Sequence, residues 1–155
     1  MKNLNGIEYL VGDKNISKRS ALPYDKNICD FLSDLSDELN STSESKKYPD
    51  IKTLAFWCRR QNINNLKKKF LSNETRVGLG LIFHITPSNI PTNFAYSLIF
   101  GLITGNSNII KVPTQNFSQV EINKLRLLLF NFCFFHNFEF AHCKKLFKIS
   151  LFKTS

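Results

Sequence analysis

The chain has no apolar run approaching the roughly 18 residues that a membrane span requires. Its opening Met1-Lys2-Asn3-Leu4-Asn5 lacks the apolar stretch of a secretory leader. A cytoplasmic location with no membrane span is the expectation. Cysteine is scarce: Cys29, Cys58, Cys133 and Cys143 include no C-x-x-C pair and are too few for a secreted disulfide scaffold, which points to reduced thiols. Cys133, His136, His142 and Cys143 lack the tight repeated spacing of paired zinc ligands, so no metal is expected. Acidic residues are also few, 12 against 21 Lys and Arg, giving a net charge of +9. Such an excess suits nucleic acid. The basic clusters, Arg59-Arg60 and Lys67-Lys68-Lys69, are short and sit in helical pattern, where a solvated basic face is the simpler account. No nucleic-acid partner is expected on this reading.

What is present describes a globular α/β protein. Of the 155 residues 43% are hydrophobic and 21% charged, enough for one core and too few residues for two large domains. The first twenty or so residues show no sustained period. Ile28, Phe31, Leu32, Leu35 and Leu39 then fall on one helical stripe, with Asp25 as a cap upstream. A polar connector at 41–47 ends at Tyr48-Pro49-Asp50, where Asp50 can cap a second helix facing the core with Ile51, Leu54, Ala55 and Cys58. Asn62 interrupts it, and Ile63, Leu66 and Phe70 continue it with the lysines outward.

From Arg76 the texture changes. Val77, Leu79, Leu81, Ile82, Phe83 and Ile85 fit a strand buried on both faces. A loop, Thr86-Pro87-Ser88-Asn89-Ile90-Pro91, leads into a helix bounded by Pro91 and Gly105. Ser107 to Val112 reads as a second strand, and Ser118-Gln119-Val120-Glu121 has the spacing of a capping box. Strand, helix, strand makes a crossover with parallel strands, so the loops at 86–91 and 113–117 leave from the same carboxyl edge, where open α/β sheets bind ligands. Pro87 and Pro91 stiffen the backbone around Asn89, whose amide can donate to an oxygen held over that edge, or can simply form the turn. Lys111 ends the second strand, where an ammonium can meet the ribose hydroxyls or 2′-phosphate of a dinucleotide, or solvent. A Rossmann glycine fingerprint is absent, since Gly78 and Gly80 precede the strand.

The stretch from Gly80 to Pro91, continued by Asn93-Phe94-Ala95-Tyr96-Ser97 and by Gly105 to Pro113, resembles the acyl-CoA reductase family, which includes the reductase component of bacterial bioluminescence fatty-acid reductase complexes. That family belongs to the aldehyde dehydrogenase superfamily, whose members carry a P-x-N-x-P loop and a later G-N-x-x-x-x-K-P-type segment. Leu22-Pro23-Tyr24-Asp25, Tyr48-Pro49-Asp50-Ile51 and Phe56-Trp57-Cys58-Arg59-Arg60 are similar to this family in particular. The resemblance runs from about residue 20 to residue 124. It implies a partial aldehyde-dehydrogenase-like fold: a mainly helical region at 1–75, then the first crossover of a nucleotide-binding sheet at 76–124.

The implied chemistry is NADPH-dependent reduction of an acyl-CoA to a fatty aldehyde through a cysteine thioester, with acyl-transfer or synthetase subunits as partners. By motif match Asn89 is the oxyanion donor, Thr86, Pro87 and Ser88 lie near the nicotinamide ribose, and Lys111 and Thr114 lie near the adenosine ribose. Val112 separates Lys111 from Pro113, a one-residue departure from the usual pattern. No cysteine matches the family's nucleophile, so the chain reads as an N-terminal portion that is inactive alone.

Beyond about Leu125 the resemblance ends. Residues 130–152 hold eight of the fifteen phenylalanines, and after Lys124 the only carboxylate side chain is Glu139. A shifted reading frame in AT-rich DNA would give such a composition; its rival is a basic-aromatic tail that lies on anionic lipid. The alternative function is correspondingly a small basic protein that binds nucleic acid or lipid.

Overall fold

The computed structural model describes residues 7–11, 20–70, 75–122 and 149–154. In chain order the elements are β1 (Ile7–Val11), α1 (Lys26–Ser41), α2 (Ser43–Lys46), α3 (Pro49–Cys58), α4 (Arg60–Phe70), β2 (Leu81–Ile85), α5 (Asn93–Ile103), β3 (Ser107–Lys111) and β4 (Ile149–Thr154). The strands form one sheet in the order β1-β4-β3-β2, with β2, β3 and β4 parallel and β1 antiparallel to β4. Mixed helix and parallel strand is the α/β class that the sequence pattern implies. Neither flanking strand is visible in local periodicity. β1 is five residues long and pairs with a segment at the other end of the chain, and β4 lies in the Phe- and Lys-rich stretch.

The helices begin and end for local reasons. Asp25 caps α1 by accepting from the Asn27 N–H at 2.9 Å, and the stripe Ile28, Leu32, Leu35 and Leu39 is buried. Tyr48, not Asp50, holds the cap position of α3. Pro49 occupies the first helical position, where its missing N–H has no helical partner to lose, and Asp50 lies inside the first turn. The connector contains the single turn α2, and the break between α3 and α4 falls at Arg59, whose extended backbone precedes Asn62. The Asn62 amide reaches back to the Phe56 carbonyl at 2.5 Å, so the residue that interrupts the apolar pattern also satisfies a carbonyl in the last turn of the helix before it.

A further helix is under way at Ser118, which puts its cap at Phe117, one residue ahead of the expected box. The 3.0 Å bond from the Val120 N–H to the Phe117 carbonyl fits that start.

One core joins these parts. Leu32 and Leu39 of α1, Ile51 and Leu54 of α3, Phe94, Leu98 and Leu102 of α5, and Ile110 of β3 are all at most 2% exposed. Each such side chain contributes about 1.5–3 kcal/mol of burial free energy. Ser36 of α1 donates to the Ala55 carbonyl of α3 at 2.7 Å, a polar tie inside this apolar layer.

β2 departs from expectation, because Phe83 and Ile85 are 54% and 74% exposed. Side chains alternate across a strand, so Ile82 and His84 face α5 while Phe83 and Ile85 face the opposite side of an edge strand. Val77 and Leu79 precede the strand and are also exposed.

Candidate functional site

The crossover β2–α5–β3 is fastened at its amino edge by backbone and buried amides. Gly105 ends α5 with φ +83°, its N–H bonded to the Leu102 carbonyl at 2.9 Å, and the Asn106 N–H bonds to the Gly101 carbonyl at 3.1 Å. These are the two bonds of a Schellman cap, which needs a left-handed residue where Gly105 stands. The Gly105 carbonyl accepts from the Ala21 N–H at 2.8 Å, and the Ala21 carbonyl accepts from the Gly78 N–H at 2.9 Å. A Cβ on Gly78 would run into the Gly105 carbonyl, so this glycine is required by close backbone approach and not by phosphate binding.

Asn106, 1% exposed, uses its whole amide here. Its Oδ1 accepts from the Gly80 N–H at 3.1 Å, while its Nδ2 donates to the Thr104 hydroxyl at 2.9 Å and the Gly101 carbonyl at 3.3 Å. Asn108, fully buried, donates from Nδ2 to the Asn106 carbonyl at 2.8 Å. Its Oδ1 is thereby left facing His84 Nε2 at 2.8 Å, so that nitrogen carries the proton and donates. Gly101 leaves room for the Asn108 amide beneath α5. These three polar residues escape a search for catalytic types. The available signal is two asparagines within two residues of each other in a strand-forming run, where asparagine is disfavoured.

The carboxyl edge carries every candidate residue of the sequence reading. Ile85 pairs with Lys111 at the last rung of the parallel ladder, which brings the loops after β2 and β3 out side by side. Thr86 ties them by donating from its hydroxyl to the Lys111 carbonyl at 2.9 Å. Pro87, Ser88, Asn89 and Thr114 are exposed, and Lys111 is half-buried. By strand alternation the Lys111 side chain leaves on the sheet face of Phe83 and Ile85, away from α5. Among the described residues Ser88, Asn89 and Lys111 form no hydrogen bond or ion pair through their side chains, so their polar groups remain available. The surface cleft and small apolar gap found elsewhere, between the helices, include none of these residues.

Neither described cysteine is prepared for nucleophilic work. Cys58 is buried on α3, and desolvation pushes its thiol up to about 12. Cys29 on α1 is also shifted up, chiefly by burial and only partly countered by Lys67. Cys133, His136, His142 and Cys143 lie outside the described residues, and no group of His, Cys, Asp or Glu among the described residues could hold a metal ion.

A family profile described as acyl-CoA reductase (LuxC) matches residues 22–125. The chain belongs to that family. No curated protein and no solved structure matches it. The LuxC match takes in α1 through β3 and both loops of the carboxyl edge, and at family level it implies acyl-CoA reductase chemistry. It gives no support to the alternative of a small nucleic-acid- or lipid-binding protein. No helix among the described residues is long and apolar enough to cross a membrane.

Proposed function

We propose that the carboxyl edge of β2 and β3 is the cofactor and oxyanion edge of an NADPH-dependent acyl-CoA reductase, built on an aldehyde-dehydrogenase-like fold. The observation that carries this is the convergence of loops 86–91 and 112–117 at one rung, inside the span of the family match.

The available groups fit the roles. The Thr86 hydroxyl has spent its proton on the Lys111 carbonyl and can only accept, as from a ribose hydroxyl. Pro87 has no N–H and holds the chain for Ser88 and Asn89. The Lys111 ammonium, with Thr114 beside the same loop, suits the adenosine ribose and its 2′-phosphate. Bound there, NADPH would supply hydride. The Asn89 amide donates to the carbonyl oxygen of an acyl thioester, where negative charge gathers as a cysteine thiolate adds to carbon and the CoA thiolate leaves. One such donor lowers the barrier by about 3 kcal/mol.

Neither described cysteine, Cys29 or Cys58, suits the acceptor role, and in this reading the chain acts with a thiol supplied beside it. The reading also includes acyl-transfer or synthetase subunits of a reductase complex as partners, at a cytoplasmic location.

Titration of the purified chain with NADPH, followed by nucleotide fluorescence, tests the cofactor edge. Saturable binding that weakens about tenfold in Lys111→Ala is expected, as for loss of one charged hydrogen bond. Absence of binding, or an unchanged Kd in that variant, overturns the assignment. When the chain is joined to a family C-terminal half, Asn89→Ala should lower aldehyde formation about 100-fold to 1,000-fold.

A further inference from the structure

Lys46 of α2, Lys52 of α3 and Arg59 at the end of α3 line one open surface cleft, together with Asn40, Thr53 and Phe56. It encloses about 540 Å³, inside the roughly 300–1,000 Å³ usual for small-molecule sites. Three of its six lining residues are cations and none is a carboxylate. Elsewhere on the same helical layer two cations share one carboxylate: Lys26 and Arg60 both reach Asp30, at 2.6 and 2.7 Å. In the cleft, Lys46 and Lys52 have no ion-pair partner among the described side chains, and Arg59 lies over the Phe56 ring, 5.1 Å from its centroid.

Like charges gathered in a concavity repel one another and raise the local positive potential, which an incoming anion relieves. Phe56 is 49% exposed. Its ring adds an apolar platform on which a flat base can stack. The Thr53 hydroxyl donates to the Pro49 carbonyl at 2.9 Å, so toward the cleft its oxygen can only accept. Cations for a phosphate, a ring for a base and an acceptor for a hydroxyl describe a phosphorylated nucleoside.

We infer that this cleft is a second ligand site, separate from the sheet edge, which binds the phosphate monoester of an adenosine nucleotide. The choice of nucleotide rests on the proposed acyl-CoA reductase function, whose two ligands both carry that group, CoA on its 3′-oxygen and NADPH on its 2′-oxygen. Lys52 and Arg59 hold the phosphate and Phe56 receives the base.

Calorimetric titration of the full chain with CoA, dephospho-CoA, NADPH and NADH tests the site. The expected result is that CoA binds about tenfold or more tightly than dephospho-CoA, and that Lys52→Gln with Arg59→Gln abolishes the difference. If the phosphate-dependent difference appears instead between NADPH and NADH and is lost in the same double variant, the site stands with NADPH as its source. Equal affinities within both pairs, or a phosphate preference that survives the double variant, overturns it. Lys111→Ala separates the two sites. A preference lost there and kept in the cleft variant belongs to the sheet edge, whereas one kept in Lys111→Ala and lost in the cleft variant stands even if the sheet-edge assignment fails.

Discussion

The two ends of the β2–β3 pair are made of different materials. At the amino end Gly78, Gly105, Asn106 and the backbone of Ala21 form a closed set of hydrogen bonds among buried or half-buried groups. At the carboxyl end one side-chain bond, from Thr86 to the Lys111 carbonyl, spans the two loops, and Pro87 through Ile90 face solvent. A rigid end fixes the register of the ladder, and the other end can then present polar groups that have no structural duty. Glycine and asparagine serve stability at one end, while asparagine and lysine are free for ligands at the other. Residue type alone does not tell a bonded amide from an exposed, unbonded one; position along the strand does.

The contrast breaks most severely at Gly78. A methyl group there meets the Gly105 carbonyl, which is backbone and cannot swing aside. Gly78→Ala should cost about 3 kcal/mol or more, read as a lowered urea midpoint or loss of soluble chain. Asn106→Ala comes next. It leaves the Gly80 N–H without its acceptor and removes the amide donor to the Thr104 hydroxyl, while the Gly101 carbonyl keeps the backbone N–H of residue 106, for about 3 kcal/mol in the same measurement. Substitution of Asn89 at the open end should leave the midpoint within about 0.5 kcal/mol of the parent, since the side chain is exposed. A large loss of stability in Asn89→Ala would erase the distinction between the two ends.

Thr86→Val sharpens the comparison because it removes the one side-chain bond across the carboxyl end and keeps the shape. About 1 kcal/mol of stability should go with it. The NADPH titration should weaken as well, as the loops lose their tie. An unchanged affinity would mean that the ladder alone positions the loops.

Much of this arrangement was legible in the sequence, and the reasons for the gaps are physical. The stripe of α1, its Asp25 cap and the Gly105 stop of α5 are local signals, set by 3.6-residue periodicity and by backbone that only certain residues tolerate, and each is found where expected. The parallel pairing of β2 with β3 follows from the length of the crossover. β1 and β4 were not legible, because strands of five and six residues gain their meaning from partners far away in sequence. The exposure of Phe83 and Ile85 is not legible either, because an apolar run does not say which sheet face will be covered. At the candidate site, the positions of residues 86–91 and 111–114 could be read from the motifs. The roles of Asn106, Asn108 and His84 could not, since a hydrogen-bonded core amide and a ligand-binding amide have the same composition.

The smallest effect expected lies on the helical layer, where paired charge offers a control for the unpaired cleft. Hydrogen bonds from Lys26 and then Arg60 hold the Asp30 carboxyl below the usual carboxylate range. A depressed folded value means that the ion pairs stabilise the protein fully above the unfolded value of about 3.9 and lose that contribution as pH falls through the folded value. Lys26 is 87% exposed and Arg60 53%, so solvent and salt screen both partners. Asp30→Asn should therefore cost only about 0.5 kcal/mol at pH 7, and the difference from the parent should vanish in strong acid. Asp34 has the opposite sign, because burial raises its carboxyl and its ionisation opposes folding as pH rises. Asp34→Asn should accordingly leave stability at pH 7 equal or slightly higher. Urea midpoints measured from pH 2.5 to pH 7 separate the two, and a larger loss from Asp34→Asn than from Asp30→Asn at neutral pH would reverse the assignment of which carboxylate supports the layer.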